Sequence, residues 1–502
     1  MINFLGYAPD LDNTTPGVIT DCSFLIPSAR GYKPAASPSS AGLPALPGTL
    51  PACRGSTLVR KTDDTTRLFA GTVNRLVESG SATWTPRGSS YALGTNERWR
   101  FAQFGDRSLA AVKSHILQSI TTASEFSQVT STAPKGAIVE VVNNFVMLFN
   151  VNDQGAIFDS LDRPDGWWCG PKGNDGTGNW VPSVTTEAAT GTLRSTPGPL
   201  TAGRRFGHQI VAYKLRSMYL GSYVGAGPIW DWQLIPGEAG AMSQEVVISV
   251  GTPEDPKHVF MGFDNFYMFA GGRAVPIGNI TPQGFMSPVR DTVFDELDTS
   301  VYYACQALHD ARKALVYFYY PTNADGLNTN KCVVYNYRTN RWGRDDRSIE
   351  AVVEYIAAGL SYGDLGASYS TYADFPNLSY DTAFVSQDSP QPGIFDTTHT
   401  LKTLSGTPTN SSITTGDYGD PQRFTDLVRV IPQFLTAPTS ATLTHYTRDV
   451  LSGMLVQRSY VALSNGRFDV LAAGRWHRGK FDMVGNHEIV GFTPFSEPDG
   501  EE

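Results

Sequence analysis

Charge is scarce in this sequence. Asp, Glu, Lys and Arg make up 17% of its 502 residues, against about 25% in an average globular chain, and no segment is strongly basic. Residues 1–60 carry a net +1, residues 61–420 a net −9 and residues 421–502 a net −1. Tight binding of nucleic acid needs a basic arm or stripe that displaces counterions from phosphates, so the composition argues against it. Cysteine is scarce too. Cys22, Cys53, Cys169, Cys305 and Cys332 are odd in number, scattered and never in a CxxC, which excludes a recognisable disulfide framework or zinc site and leaves reduced packing residues. The eight histidines show no HxH or HxxxH spacing, so no metal or cofactor is expected. Long apolar runs are missing as well: nothing nears the ~18 residues of a membrane span, and the first ten residues lack the basic and apolar regions of a leader. These features predict a soluble protein folded in the cytoplasm, without stable membrane insertion.

Turn residues are abundant. The chain has 49 glycines and 32 prolines together with 11% aromatic residues, enough large apolar bodies to build a core between many turns. Short β-branched and aromatic runs separated by Asp, Asn and Gly dominate from about residue 60 to 415, and apolar spacing of the helical kind is almost absent. Several pairs read as hairpins. Trp99–Phe104 is followed by Gly105-Asp106 and Leu109–Val112, and Ile138–Val142 by Asn143-Asn144 and Phe145–Phe149. His258–Phe263 is likewise followed by Asp264-Asn265 and Phe266–Phe269. Further pairs are 208–213 with 217–221, and 314–319 with 332–336. Hairpins recurring every ~45 to 55 residues predict an all-β fold, a β-propeller of six or seven blades; two stacked β-sandwiches are the rival architecture.

Residues 1–58 read as an extended proline-rich arm, because eight prolines up to Pro51 forbid helix and central strand. Phe4, Tyr7, Phe24 and Tyr32 are aromatic residues that a free tail would not need, so they are the expected contacts with a folded domain or a partner. The propeller is assigned to 59–386 with a long excursion near 153–205, a linker to 387–420, a small antiparallel β domain to 421–496 and an acidic tail to 497–502.

Each motif with chemical spelling meets an ordinary reading. Gly359-Leu-Ser361-Tyr-Gly363 matches GxSxG, yet the residues after Ser361 do not form the helix a nucleophile elbow requires; His399 and His445 are no better than other histidines as its partners. Gly474–Lys480 spells GxxxxGK, but Phe481 stands where Ser or Thr would hold magnesium. Asp175 and Trp180 have the separation of an Asp-box turn without its other residues. Asp291, Asp295, Glu296 and Asp298, or Asp345 and Asp346, are able to supply paired carboxylates, but turn-forming acids are the default. Trp167, Trp168, Trp230 and Trp232 are a sugar platform or, by default, buried rings. No catalytic residue is assigned, and the chain is read as a non-enzyme.

Three stretches carry a family likeness: Ile2–Asp12 with Thr15–Ile19, Gln209–Gly221 leading to Ile229–Trp232, and Gly474–His477. They resemble the tail nozzle, or tail hub, proteins of short-tailed double-stranded DNA bacteriophages. The resemblance implies a structural virion protein containing a propeller, located in the virion tail and assembled in the host cytoplasm. It also implies a homohexameric ring that meets the head-to-tail adaptor and portal on one side and tail fibre, spike or plug proteins on the other, with double-stranded DNA as passing cargo. The alternatives are a propeller glycoside hydrolase or polysaccharide depolymerase and a carbohydrate-binding receptor protein of the virion.

Overall fold

The computed structural model describes residues 1–80, 82–122, 124–153, 161–171, 180–225, 227–279, 286–323, 326–356 and 390–498. The protein is all-β, and its larger part is a β-propeller. The repeating unit is an antiparallel meander whose first strand lies near the axis. Ser56–Arg60, Thr66–Gly71, Arg75–Ser79 and Trp84–Ser89 make one. Arg100–Phe104, Arg107–Val112 and His115–Ile120 make the next, with short Ser127–Gln128 at its edge. The pattern repeats in meanders that begin with Lys135–Val142, Ala202–Phe206, Val247–Gly251 and Gln306–Asp310. A last one consists of Ile349–Tyr355, Gln391–Asp396 and Leu401–Gly406, and its outer strand is Ser37–Ser40 from the start of the chain. Each first strand packs on the first strand of the next meander, and Ile349–Tyr355 packs back on Ser56–Arg60.

The hairpins expected from sequence are present in register. Val142 pairs with Phe145 across Asn143 and Asn144, whose φ of 48° and 63° are those of a tight type I′ turn. Phe104 pairs with Arg107; Met261 pairs with Phe266 across the four residues 262–265, so this turn is two residues longer than the expected Asp264-Asn265. Between meanders the packing is aromatic against glycine. A Cβ at Gly278, where φ is +75°, would lie 1.7 Å from Nε1 of the fully buried Trp342, so only glycine suits both the backbone and the space.

Two expected boundaries move. Part of the presumed excursion at 153–205 is sheet: Asp162–Pro171 and Ala189–Thr192 are the third and fourth strands of the meander begun by Lys135–Val142. The strand opens on a buried ion pair, Arg163 holding Asp153 through two bonds of 2.5 and 3.0 Å, before its buried Trp167, Trp168 and Cys169. The presumed linker at 387–420 supplies the strands Gln391–Asp396, Leu401–Gly406 and Asn410–Thr415 and the short Tyr418–Gly419. Ser and Thr dominate it, but Ile394, Phe395, Leu401, Leu404 and Ile413 are buried, and Asp396 gathers the amides of Thr398 and Thr400 into the intervening turn.

The second domain is a sandwich of two antiparallel sheets. One contains Asn410–Thr415, Trp476–Val484, Ser440–Arg448 and Val456–Ala462; the other contains Glu488–Pro498, Thr425–Thr436 and Phe468–Gly474. Trp476–Val484 alternates half-buried and buried positions along its length, as one face toward a core requires. Leu427, Val430, Leu443, Phe468, Phe481, Ile489 and Phe492 fill the space between the sheets.

The first forty residues are woven through both domains rather than extended along one. Ile2–Asn3 pairs with Glu488–Pro498, and Val18–Ser23 with Asn410–Thr415. Leu25–Pro27 bridges Arg341–Arg344 of a propeller meander to Tyr32–Pro34, which meets Glu488–Pro498. The result is a ten-stranded sheet running from propeller into sandwich. Asp10 reinforces the joint: its carboxylate accepts from the amides of Asp291 and Thr292 at 2.7 and 3.0 Å. Helix Arg290–Glu296 has no side-chain cap of its own at Val289, so a residue distant in sequence satisfies its first donors.

Candidate functional site: the axial cavity

First strands of a propeller splay around the axis and do not form ladders with one another, so their edge groups need other partners. Here side chains supply them. The Gln306 amide donates to the Glu350 carbonyl at 3.0 Å and accepts from the Val352 amide at 3.2 Å. Gln244 repeats the device on Gly203, donating to its carbonyl at 2.9 Å and accepting from its amide at 2.7 Å. Ser56 donates to the Val352 carbonyl, and the Arg100 guanidinium to that of Ala137.

Within this ring lies a cavity of about 130 Å³ lined by Ser56, Arg100, Val139, Arg204, Gln306 and Val352 from the first strands of six meanders, and by Glu245 from the 3₁₀ turn that leads into Val247–Gly251. A second cavity of about 220 Å³ adjoins it, with Asn96, Lys113, Tyr302 and Tyr303 among its lining; Arg98 and Arg100 line both. The charged side chains are unequal in their partners. Arg100 holds Glu245 through two bonds of 2.8 and 3.1 Å. Burial pushes the Glu245 carboxyl up, but the charge and hydrogen bond of Arg100, with Arg98 beyond, more than reverse this and hold it at about 2. Arg204 lies 3.6 Å from Glu140 and donates to the Val247 carbonyl. Burial raises the carboxyls of Glu140 and Glu354 against the pull of Arg204. Arg98 is 4% exposed and donates to two carbonyls, those of Glu350 and Leu327. Burial lowers it to about 10, so it stays charged at neutral pH.

The residues singled out in the sequence lie elsewhere. Phe4, Tyr7 and Tyr32 are buried in the chain's own core. The Tyr32 hydroxyl accepts from the Tyr7 amide and donates to the Trp342 carbonyl, so their burial partners are intramolecular. Phe24 is 37% exposed, with the Arg347 guanidinium 5.4 Å from its ring. Ser361 and Asp175 fall outside the described residues. Lys480 belongs to the extended strand Trp476–Val484 and pairs with Asp482 at 3.4 Å, a geometry with no loop to wrap a phosphate. Asp298 caps the 3₁₀ turn Thr299–Ala304, Glu296 and Asp346 pair with Arg344, and Asp345 pairs with Arg347. His399 donates to or accepts from Glu350 at 2.6 Å, and His445 meets His477 at 3.1 Å. Trp167, Trp168 and Trp230 are buried, and Trp232 packs against Trp167. The axial residues carry no sequence signal: Arg204 and Gln306 sit in ordinary strands, Arg98 just ahead of one and Glu245 in the 3₁₀ turn Gln244–Val246, and only ring closure brings them together.

The fold defines a β-propeller joined to a β-sandwich. No family model matches the chain, and no curated protein matches it. Among solved structures it is similar to YCF48 bound to D1 peptide, at 11% identity over 72% of this chain and 95% of that one with a TM-score of 0.37. YCF48 from Cyanidioschyzon merolae is similar at 11% identity over 60% and 87% with a TM-score of 0.32. The computationally designed Ika8 protein is similar at 10% over 73% and 99% with a TM-score of 0.35. These likenesses concern fold alone.

Proposed function

We propose that the chain is a structural subunit of the tail of a short-tailed double-stranded DNA phage, of the nozzle or hub type, with a seven-bladed propeller. The blade count rests on the run of first strands, each packed on the next until Ile349–Tyr355 returns to Ser56–Arg60. The observation that carries the functional reading is the weave of residues 2–40 through both domains. A continuous sheet that crosses from a propeller meander through Leu25–Pro27 and Tyr32–Pro34 into the sandwich fixes the two bodies against each other, as suits a subunit held between an adaptor above and fibres or a plug below. Together with the nozzle-like phrases of the sequence, this supports a hexameric ring with DNA as passing cargo. A net charge of −9 repels a duplex rather than holding it.

Native mass spectrometry and electron microscopy of the purified protein test the reading. A closed ring of six with no retardation of duplex DNA at physiological salt is the expected result. A stable monomer, or DNA binding that falls steeply with salt, overturns it. Depolymerisation of host capsule polysaccharide by the pure protein would replace it with the hydrolase reading.

A further inference from the structure

We propose that a cleft between two adjacent propeller meanders is a binding site for a neutral saccharide, which stacks on the exposed ring of Tyr223. The cleft measures about 580 Å³. The Asn143-Asn144 turn and Glu187 line it from the meander begun by Lys135–Val142, and Arg205, His208 and Tyr223 from the one begun by Ala202–Phe206. Its aromatic wall is built from the core outward. Phe145 and Trp230 are 5% and 2% exposed, whereas Tyr223 is 40% exposed. The Tyr223 ring lies 5.3 Å from that of Phe145 and 6.0 Å from that of Trp230, and those two lie 5.7 Å apart. Tyr223 is thus the outermost of three mutually packed rings, and its hydroxyl donates to Glu187 at 3.3 Å. A ligand stacking on it meets a surface already in place, at little cost in ordering.

The polar groups around the ring have unused capacity. The His208 carbonyl only accepts, so the Asn143 amide turns its nitrogen to it at 2.6 Å and its oxygen to His208 Nδ1 at 3.3 Å. In the neutral imidazole Nδ1 then carries the proton, and Nε2 is left as an acceptor. The second carboxylate oxygen of Glu187, the terminal nitrogens of Arg205 and the Asn144 amide make no hydrogen bond among the described residues. Glu187 and Arg205 offset each other in charge, as do Glu140 and Arg204 nearby. A lining without net charge disfavours phosphates and acidic peptides alike. A ring face flanked by carboxylate, amide, guanidinium and imidazole nitrogen matches a pyranose, whose C–H face stacks on the negative face of an aromatic ring while its neighbouring hydroxyls bridge planar polar groups. The volume falls within the ~300–1,000 Å³ of small-molecule sites and takes roughly one or two pyranose rings.

The test screens the full chain by saturation-transfer NMR against the methyl glycosides of glucose, galactose, mannose and N-acetylglucosamine, with adenosine as a flat aromatic competitor, and titrates each binder calorimetrically. The expected result is saturable binding of at least one glycoside, one per chain, with the strongest transfer to protons of the pyranose ring. Tyr223→Ala and Glu187→Gln are each expected to weaken it at least about tenfold, while Tyr223→Phe, which keeps the ring and gives up the bond to Glu187, retains most of the affinity. Should Tyr223→Ala fail to fold, Glu187→Gln decides. No binding of any of the four glycosides, binding that both substitutions leave unaltered, or tighter binding of adenosine than of every glycoside overturns the assignment.

Discussion

Replacing Asp417 by Asn offers a sharp test of how the sandwich is held together. The Asp417 side chain is fully buried and serves two cations: Arg478, through two bonds of 2.9 Å, and Arg448. Those guanidinium groups are themselves only 13% and 11% exposed. Asn keeps the shape and one acceptor oxygen but removes the charge, leaving two poorly hydrated cations facing each other. Breaking a buried pair in this way costs about 3–5 kcal/mol, and like-charge repulsion places Asp417→Asn toward the upper end. Urea unfolding followed through Trp476, the tryptophan of strand Trp476–Val484, measures the loss. Adding Arg448→Met and Arg478→Met to the variant removes the orphaned charges and is expected to recover most of the stability. A loss below about 1 kcal/mol for Asp417→Asn would refute the argument, because exposed pairs are worth that little.

Acid is expected to destabilise the protein well above the carboxylate range. Burial lowers His258 to about 4 and, with the neighbouring His477, lowers His445 to about 3, whereas the unfolded residues titrate near ~6.5. Protons then bind the unfolded chain first, so stability is complete above about pH 6.5 and falls by up to about 1.4 kcal/mol per pH unit for each histidine below it. Urea midpoints between pH 7 and 4 check this, and a flat profile would refute it. Deleting residues 1–40 removes a strand from the last meander and several from the sandwich, so the shortened protein is expected to be insoluble or to lose its cooperative transition; a soluble product with an unchanged melting curve would contradict the weave. Gly278→Ala is expected to lower stability by about 2 kcal/mol or more, since Trp342 must shift and the backbone is left-handed. A change within about 0.5 kcal/mol on denaturant titration would show that the ring does not press on Gly278.

The parts of the fold that were legible in the sequence are those in which one strand's local chemistry decides its state. Asn143-Asn144 between two apolar runs selects a tight turn whatever surrounds it. The strands that escaped notice draw their stability from partners distant in sequence. Asp162–Pro171 buries Arg163 because Asp153 meets it, and Ser37–Ser40 is a strand only because Leu401–Gly406 needs an outer neighbour. The aromatic residues of the first 58 positions were legible as groups that need burial, but not as core of the chain itself, since proline density hides short strands made of two to six residues. The axial cavity was illegible for a stronger reason. Its residues come from positions as far apart as Ser56 and Val352, and each is an ordinary strand, turn or loop residue until the ring is closed.

Closure itself ties fold to role. A propeller made of consecutive meanders would be free to open between its first and last members, because no ladder crosses that seam. Here the seam is closed by pairing Ser37–Ser40 with Leu401–Gly406 and by Ser56 donating to Val352. The same N-terminal segment reaches the sandwich through Val18–Ser23 and Ile2–Asn3. The strand that closes the ring thus lies within twenty residues of Val18–Ser23, which completes one sheet of the sandwich, and force applied to either body is borne along paired backbone rather than across a flexible joint. Such pairing is also late: Ile2–Asn3 finds its partner only when residues near Phe492 have been made, and contacts of that sequence separation form slowly because loop closure must precede them. For the tail subunit we propose, which folds once and then holds its shape against a transiting polymer, this arrangement is of more use than it would be to an enzyme whose domains must move.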